Sequence, residues 1–189
     1  MDRYVSSIEN PHLGGNMEAG DPSTFSPQSW DYLIDRFALT SMLDVGSGLG
    51  HCARYFYKRG VYAIAMDGLE LNIRKSLYPA VLCDLTISPF TTNVDLVHCQ
   101  EVVEHIEPQY LDNIIKTFQS GRIVCMSHAM PGQGGYHHVN EQPSEYWIEA
   151  MKERGFELLD LDTTRIRYLA KRDGALYLEK SALVFAIIN

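Results

Sequence analysis

Leu43-Asp44-Val45-Gly46-Ser47-Gly48-Leu49-Gly50 closes a short apolar run, Ser41–Val45, and opens a helical pattern over about 50–59. Three glycines spaced two apart let the main chain turn tightly and approach a ligand closely before a helix begins. Outward from this unit the same alternation continues. Apolar runs stand at Val61–Met66, Ala80–Cys83, Val94–Cys99, Ile123–Ser127, Phe156–Leu161 and Ala182–Ile188. Helical patterns lie between them at about 70–76, 103–118 and 143–154, with a weaker one at 163–171. Upstream, Ser26-Pro27 reads as an N-cap and a first helical proline, and Trp30, Leu33, Ile34 and Phe37 follow at helical spacing, which predicts a helix over 27–38. Strands alternating with helices predict an α/β domain, doubly wound, with helices on both faces of a mostly parallel sheet.

Composition bounds what such a domain does. The 189 residues allow one domain, divided here into an irregular, Gly/Asn/Pro-rich arm at 1–25 that can serve as a lid and a single domain at 26–189. Asp and Glu number 24 against 16 Lys and Arg, a net charge of −8, and no basic tract or aromatic-interleaved basic stripe appears. Nucleic acid is therefore an unfavoured partner, because phosphate affinity rests on Lys and Arg. Cys52, Cys83, Cys99 and Cys125 form no C-x-x-C pair and read as buried free thiols of a reducing compartment. Met1-Asp2-Arg3-Tyr4 begins no signal pattern, and no apolar run approaches a membrane span, so the expected location is cytoplasmic, off the membrane.

In a doubly wound sheet the ligand lies at the carboxyl ends of the strands. Three of those ends carry suitable groups. The glycine loop follows the first strand. The second ends at Asp67-Gly68, where a carboxylate can accept from both hydroxyls of a ribose. The third ends at Cys83-Asp84-Leu85, where an Asp can accept from an exocyclic adenine amine. With Pro89-Phe90 and the run Asp95-Leu96-Val97 leading into Glu101-Val102-Val103-Glu104-His105, this resembles the class I S-adenosylmethionine-dependent methyltransferases over roughly 26–189. The resemblance implies a Rossmann-like sheet of seven strands, the last antiparallel. It implies that Asp44, Gly46, Ser47, Gly48 and Gly50 hold the methionine part of S-adenosylmethionine. Asp67 with Gly68 would hold the ribose, Asp84 with Leu85 the adenine, and Gln100 or Glu101 the pocket rim. Nucleotide-dependent dehydrogenases share the first βαβ unit, but their loop reads G-x-G-x-x-G and theirs is not the pattern here.

Glu101, Glu104 and His105 stand at i, i+3 and i+4, one face if the segment is helical. His138 lies in the long loop after the fifth strand, Pro131-Gly132-Gln133-Gly134-Gly135-Tyr136-His137-His138. Two carboxylates and two imidazoles (Glu101, Glu104, His105, His138) make an N/O set for Mg²⁺, Mn²⁺ or Zn²⁺. The E-x-x-E-H pattern also resembles two metal-dependent subfamilies, the O-methyltransferases of quinone biosynthesis and the 3′-end methyltransferases of small RNAs. Without a metal, a histidine is the natural general base: His138 first, then His137 and His128. The glycine-rich loop 128–142 reads as a substrate-facing flap. The expected activity is O-methylation of a sugar, glycan or similar small-molecule hydroxyl. The alternatives are methylation of an RNA 3′-terminal ribose and a non-catalytic cofactor-binding module.

Overall fold

The computed structural model describes residue 5 and residues 7–188; Met1–Tyr4, where the absence of a leader pattern is read, lie outside the described residues. Seven strands form one sheet: β1 (Ser41–Val45), β2 (Tyr62–Asp67), β3 (Ala80–Leu82), β4 (Val94–Cys99), β5 (Gly121–Met126), β6 (Phe156–Leu158) and β7 (Leu183–Ile187). Their order across the sheet is β3-β2-β1-β4-β5-β7-β6. The first five are parallel, and β7 runs antiparallel to both β5 and β6. Seven helices surround the sheet: α1 (Pro27–Phe37), α2 (His51–Lys58), α3 (Glu70–Lys75), α4 (Leu111–Phe118), α5 (Ser144–Lys152), α6 (Asp160–Asp173) and α7 (Leu176–Ser181). The chain is the expected seven-stranded α/β fold with its last strand antiparallel. No described helix is long and apolar enough to cross a membrane.

Period-two alternation sorts the strand side chains between two buried layers. Met42, Ile123, Cys125 and Val184 join Trp30 and Leu33 of α1, Phe56 of α2, Ile166 of α6 and Leu178 of α7 on one face. Leu43, Val45, Val124, Met126 and Phe185 join Ile114 and Phe118 of α4 and Trp147 and Met151 of α5 on the other. Both faces are therefore covered, and the polar strand ends are left at the carboxyl edge.

Three local expectations need correction. The helix expected over 103–118 is two 3₁₀ turns, Val103–His105 and Pro108–Tyr110, followed by α4. Pro108 forces the preceding residue towards extended backbone, and both Ile106 and Glu107 are extended. Ser26 occupies the α1 N-cap without capping it through its side chain. The cap comes from Asp173, whose Oδ2 accepts from the Gln28 N–H at 2.8 Å and the Ser26 hydroxyl at 3.1 Å. Finally, the strand expected to run to Leu161 stops at Leu158, and 160–181 form two helices, α6 ending at a left-handed Gly174. Antiparallel β6 and β7 need only a tight hairpin to join them, so this helical pair is an insertion.

Candidate functional site

The carboxyl edge of β1–β4 opens into a cavity of about 960 Å³. Its floor is the glycine loop. Gly46, Gly48 and Gly50 all take the left-handed conformation, at φ 65°, 53° and 73°. At Gly46 glycine is also a steric requirement, since a Cβ would collide with the Val102 side chain. Beneath the loop, Asp44 is almost fully enclosed. Its Oδ2 accepts from the Ala53 N–H at 3.1 Å, tying the first turn of α2 to β1, and Oδ1 lies 3.1 Å from His98 Nδ1. Trp30 Nε1 donates to His98 Nε2 at 3.4 Å, so the imidazole carries its hydrogen on Nδ1, towards Asp44. Asp44 thus supports the loop from below, with both oxygens engaged by protein.

The second and third strand ends carry their acids to the same cavity. Asp67 Oδ2 accepts from the Gly48 N–H at 2.8 Å, and Oδ1 accepts from Leu69 N–H and Asn72 Nδ2. Burial pushes its pKa up, and those three donors oppose the rise. Asp84 accepts from Thr86 N–H and hydroxyl at 2.8 Å through Oδ1, and pairs with His12 at 3.0 Å through Oδ2. Partial burial would raise its pKa, but His12 and Thr86 prevail and hold it below the ordinary carboxylate range. Gly68 and Leu85 line the cavity beside them, Gly68 packed so closely on the Leu13 side chain of the arm that this side chain would have to move to admit a Cβ. The described part of the arm runs along the cavity mouth. His12 reaches Asp84, Asn16 exchanges hydrogen bonds with Asn72, and Ser7 C=O accepts from Tyr136 OH at 3.3 Å.

The acidic-histidine segment is shaped by a loop rather than by a helix. Glu101 has φ 52°, outside any helix, and only Val103–His105 form a turn. Even so, Glu104, His105 and His138 bring ligand atoms within 4.8 Å of one another. Glu101 stands next to this trio but outside it, accepting from Ser127 Oγ at 2.8 Å and Gln133 Nε2 at 2.9 Å. Glu104 is fully buried against the Glu101 carboxyl and the main chain of Ala129, and no well-formed hydrogen bond satisfies either of its oxygens among the described residues. Burial, then the charge of Glu101, pushes its pKa well above the ordinary range. Burial and the neighbouring His138 and His137 lower His105 to about 4. Ser47 Oγ, Gln100 Nε2 and His105 Nδ1 are likewise buried without partners, and all of these residues line the cavity. Buried polar groups are ordinarily paired. A cluster of unpaired ones around one cavity fits a polar ligand there, and the acid at each strand end matches the hydroxyls and amines of an adenosyl amino acid.

Of the three histidines considered as a base, only His138 lines the cavity. His128 is buried elsewhere, with Nε2 3.1 Å from Ser144 Oγ and Nδ1 3.3 Å from Ala129 C=O. His137 sits at φ 51° in the flap and does not line the cavity. Glu141 is the residue sequence inspection passed over. It accepts from His138 Nδ1 at 2.9 Å and from the Gly132 and Gly134 N–H groups at 2.7 Å each. One carboxylate therefore folds the glycine-rich flap and fixes the His138 tautomer, leaving the Nε2 lone pair free. Its only sequence signal is a position three residues after His138.

Residues 43–125 match a family model described as a methyltransferase domain. No curated protein sequence matches the chain. Among solved structures, a TehB-like SAM-dependent methyltransferase from Corynebacterium glutamicum superposes with TM-score 0.60 at 19% identity, over 84% of this chain and 87% of that one. Magnesium protoporphyrin IX methyltransferase from Synechocystis PCC 6803, with SAM bound, gives 0.57 at 13% identity over 86% and 79%. The [4+2]-cyclase SpnF gives 0.59 at 16% identity over 86% and 80%. The chain has the fold of the class I S-adenosylmethionine-dependent methyltransferases, with residues 43–125 carrying the methyltransferase-domain match.

Proposed function

We propose that the protein transfers a methyl group from S-adenosylmethionine to a hydroxyl of a small, uncharged acceptor such as a sugar, with a divalent cation held by Glu104, His105 and His138. The observation that carries this reading is the Glu104 carboxyl, fully buried beside the Glu101 carboxyl, without a basic partner, and gathered with two imidazoles at the cavity wall. A carboxylate in that state is costly unless it is protonated or holds a cation. Held by Glu104, His105 and His138, such an ion would lower the pKa of the hydroxyl to be methylated. The chain's own residues do the rest. The glycine loop, Asp67 and Asp84 orient the cofactor, which supplies proximity, and the flap folded on Glu141 excludes water.

Fold alone does not decide chemistry, as the cyclase among the structural neighbours illustrates. Cavity charge weighs against an RNA acceptor: among the described residues Lys180 is its single ammonium or guanidinium group. The decisive experiment measures S-adenosylmethionine turnover on a panel of glycans, phenols and RNA 3′ ends, before and after chelation and with Mg²⁺, Mn²⁺ or Zn²⁺ restored. Metal-dependent methylation of a neutral hydroxyl is expected. Turnover unchanged by chelation removes the metal, and RNA as the sole acceptor replaces the substrate class.

A further inference from the structure

The helical insertion between β6 and β7 is unexplained by sheet connectivity, and its ends show what it does. α6 packs on α1, and α7 packs on the turn Pro22–Thr24 at the edge of the arm. The Ser181 hydroxyl accepts from the His128 N–H at 3.1 Å, and Arg167 donates to Ala182 C=O at 2.9 Å, so α7 is anchored at the carboxyl edge of the sheet. This placement brings Leu176 and Lys180 into the cavity wall.

Charge in the cavity is one-sided. Seven carboxylates line it, from Asp21 to Asp173, against the one ammonium of Lys180. Lys180 makes no ion pair among the described residues, although it lines the same cavity as these carboxylates. Sheet order fixes the layout of the acids: Asp84 follows β3, Asp67 is the last residue of β2, and Asp44 lies at the end of β1. An adenosyl amino acid laid adenine to Asp84 and ribose to Asp67 extends its tail past the glycine loop, towards the side of the cavity that α1 and α7 close. That tail ends in a carboxylate, which the ionised acids of the wall disfavour and which an ammonium standing in the same wall can pair with.

We infer that Lys180 is a cofactor-binding residue, its ammonium pairing with the carboxylate of the S-adenosylmethionine tail, and that the α6–α7 insertion carries it into place. The inference rests on the methyltransferase reading above. A charge-assisted pair of this kind corresponds to roughly a tenfold to hundredfold change in affinity.

Calorimetry with S-adenosylhomocysteine and with 5′-methylthioadenosine, which lacks the amino-acid tail, separates the possibilities on the intact chain. Lys180→Ala is expected to weaken S-adenosylhomocysteine by roughly tenfold to a hundredfold and to leave 5′-methylthioadenosine unchanged, with Lys180→Arg restoring most of the loss. Equal weakening of both ligands shows a structural role and overturns the assignment. Unchanged binding of S-adenosylhomocysteine with a raised KM for the acceptor also overturns it, moving Lys180 to acceptor recognition. If the unsubstituted protein binds neither cofactor form, the methyltransferase reading itself fails, and this one with it.

Discussion

Glu141 shows how much one side chain organises here. Its two oxygens take two backbone N–H groups of the flap and the Nδ1 of His138, so loop shape and imidazole orientation depend on the same carboxylate. Hydrogen bonding to His138 lowers the Glu141 pKa, so it is ionised throughout the neutral range. Removing a partner that orients a ligating or catalytic group typically costs ~10–100-fold in activity or metal affinity. Glu141→Ala is accordingly expected to lower kcat by that order, with cofactor affinity measured by calorimetry little changed and Glu141→Gln intermediate. A kcat equal to the parent's removes His138 from the chemistry. Gly46 makes a second case. A side chain there meets both a left-handed backbone, at roughly 1–2 kcal/mol, and the Val102 side chain. Gly46→Ala should lower the thermal midpoint and weaken S-adenosylhomocysteine, both read in one thermal-shift titration.

Among the elements, the strands and α2 follow from local pattern because apolar runs, loop glycines and helical spacing act over a few residues. The failures have equally local causes. Pro108 divides what spacing alone presents as one helix, and the short α7 adjoins the apolar run of β7 without a helical signature of its own. The start of α1 fails for a different reason. Its capping acid, Asp173, is 145 residues away from Gln28, at the end of the insertion. Loss of a helix cap costs about 1 kcal/mol, so Asp173→Ala should lower the thermal midpoint by roughly 2–4 °C in a chain of this size. Ser26→Ala, whose hydroxyl does not cap, should cost less. The reverse ranking in a melting experiment would return the cap to Ser26.

Across the whole molecule, charge is arranged as well as abundant. At the amino edge of the sheet, opposite the cavity, Asp95 of β4 accepts from Thr40 N–H and hydroxyl, from Ser41 N–H and from Arg122 of β5, binding the start of β4 to its two neighbours, β1 and β5. Slight burial opposes these donors, yet they hold the Asp95 pKa far below its ordinary value. A carboxyl depressed on folding adds stability that is complete above its unfolded pKa of ~3.9 and disappears as pH falls towards the folded value. Asp95→Asn is therefore expected to flatten the acid limb of the stability–pH curve, seen by denaturant unfolding between pH 5 and pH 2. An unaltered limb would show that the clasp contributes nothing measurable.

Much of that layout was open to inspection along the chain. The acids Asp44, Asp67 and Asp84 and the glycine loop are legible because each follows an apolar run, and a parallel sheet brings all such carboxyl ends to one edge. Glu104, His105 and His138 were legible as residue types with metal-binding capacity, but not as a trio that leaves Glu101 beside it. Pairings such as His12 with Asp84, Asn16 with Asn72 and Asp173 with α1 join residues 56 to 147 positions apart. Local periodicity carries no information at that range. The same holds for Lys180, an unremarkable lysine in the sequence until two helices fold it over the cavity. Backbone propensity and burial pattern are short-range and write the sheet into the chain. Which side chains meet above its edge depends on long-range closure, and only the packed fold settles that.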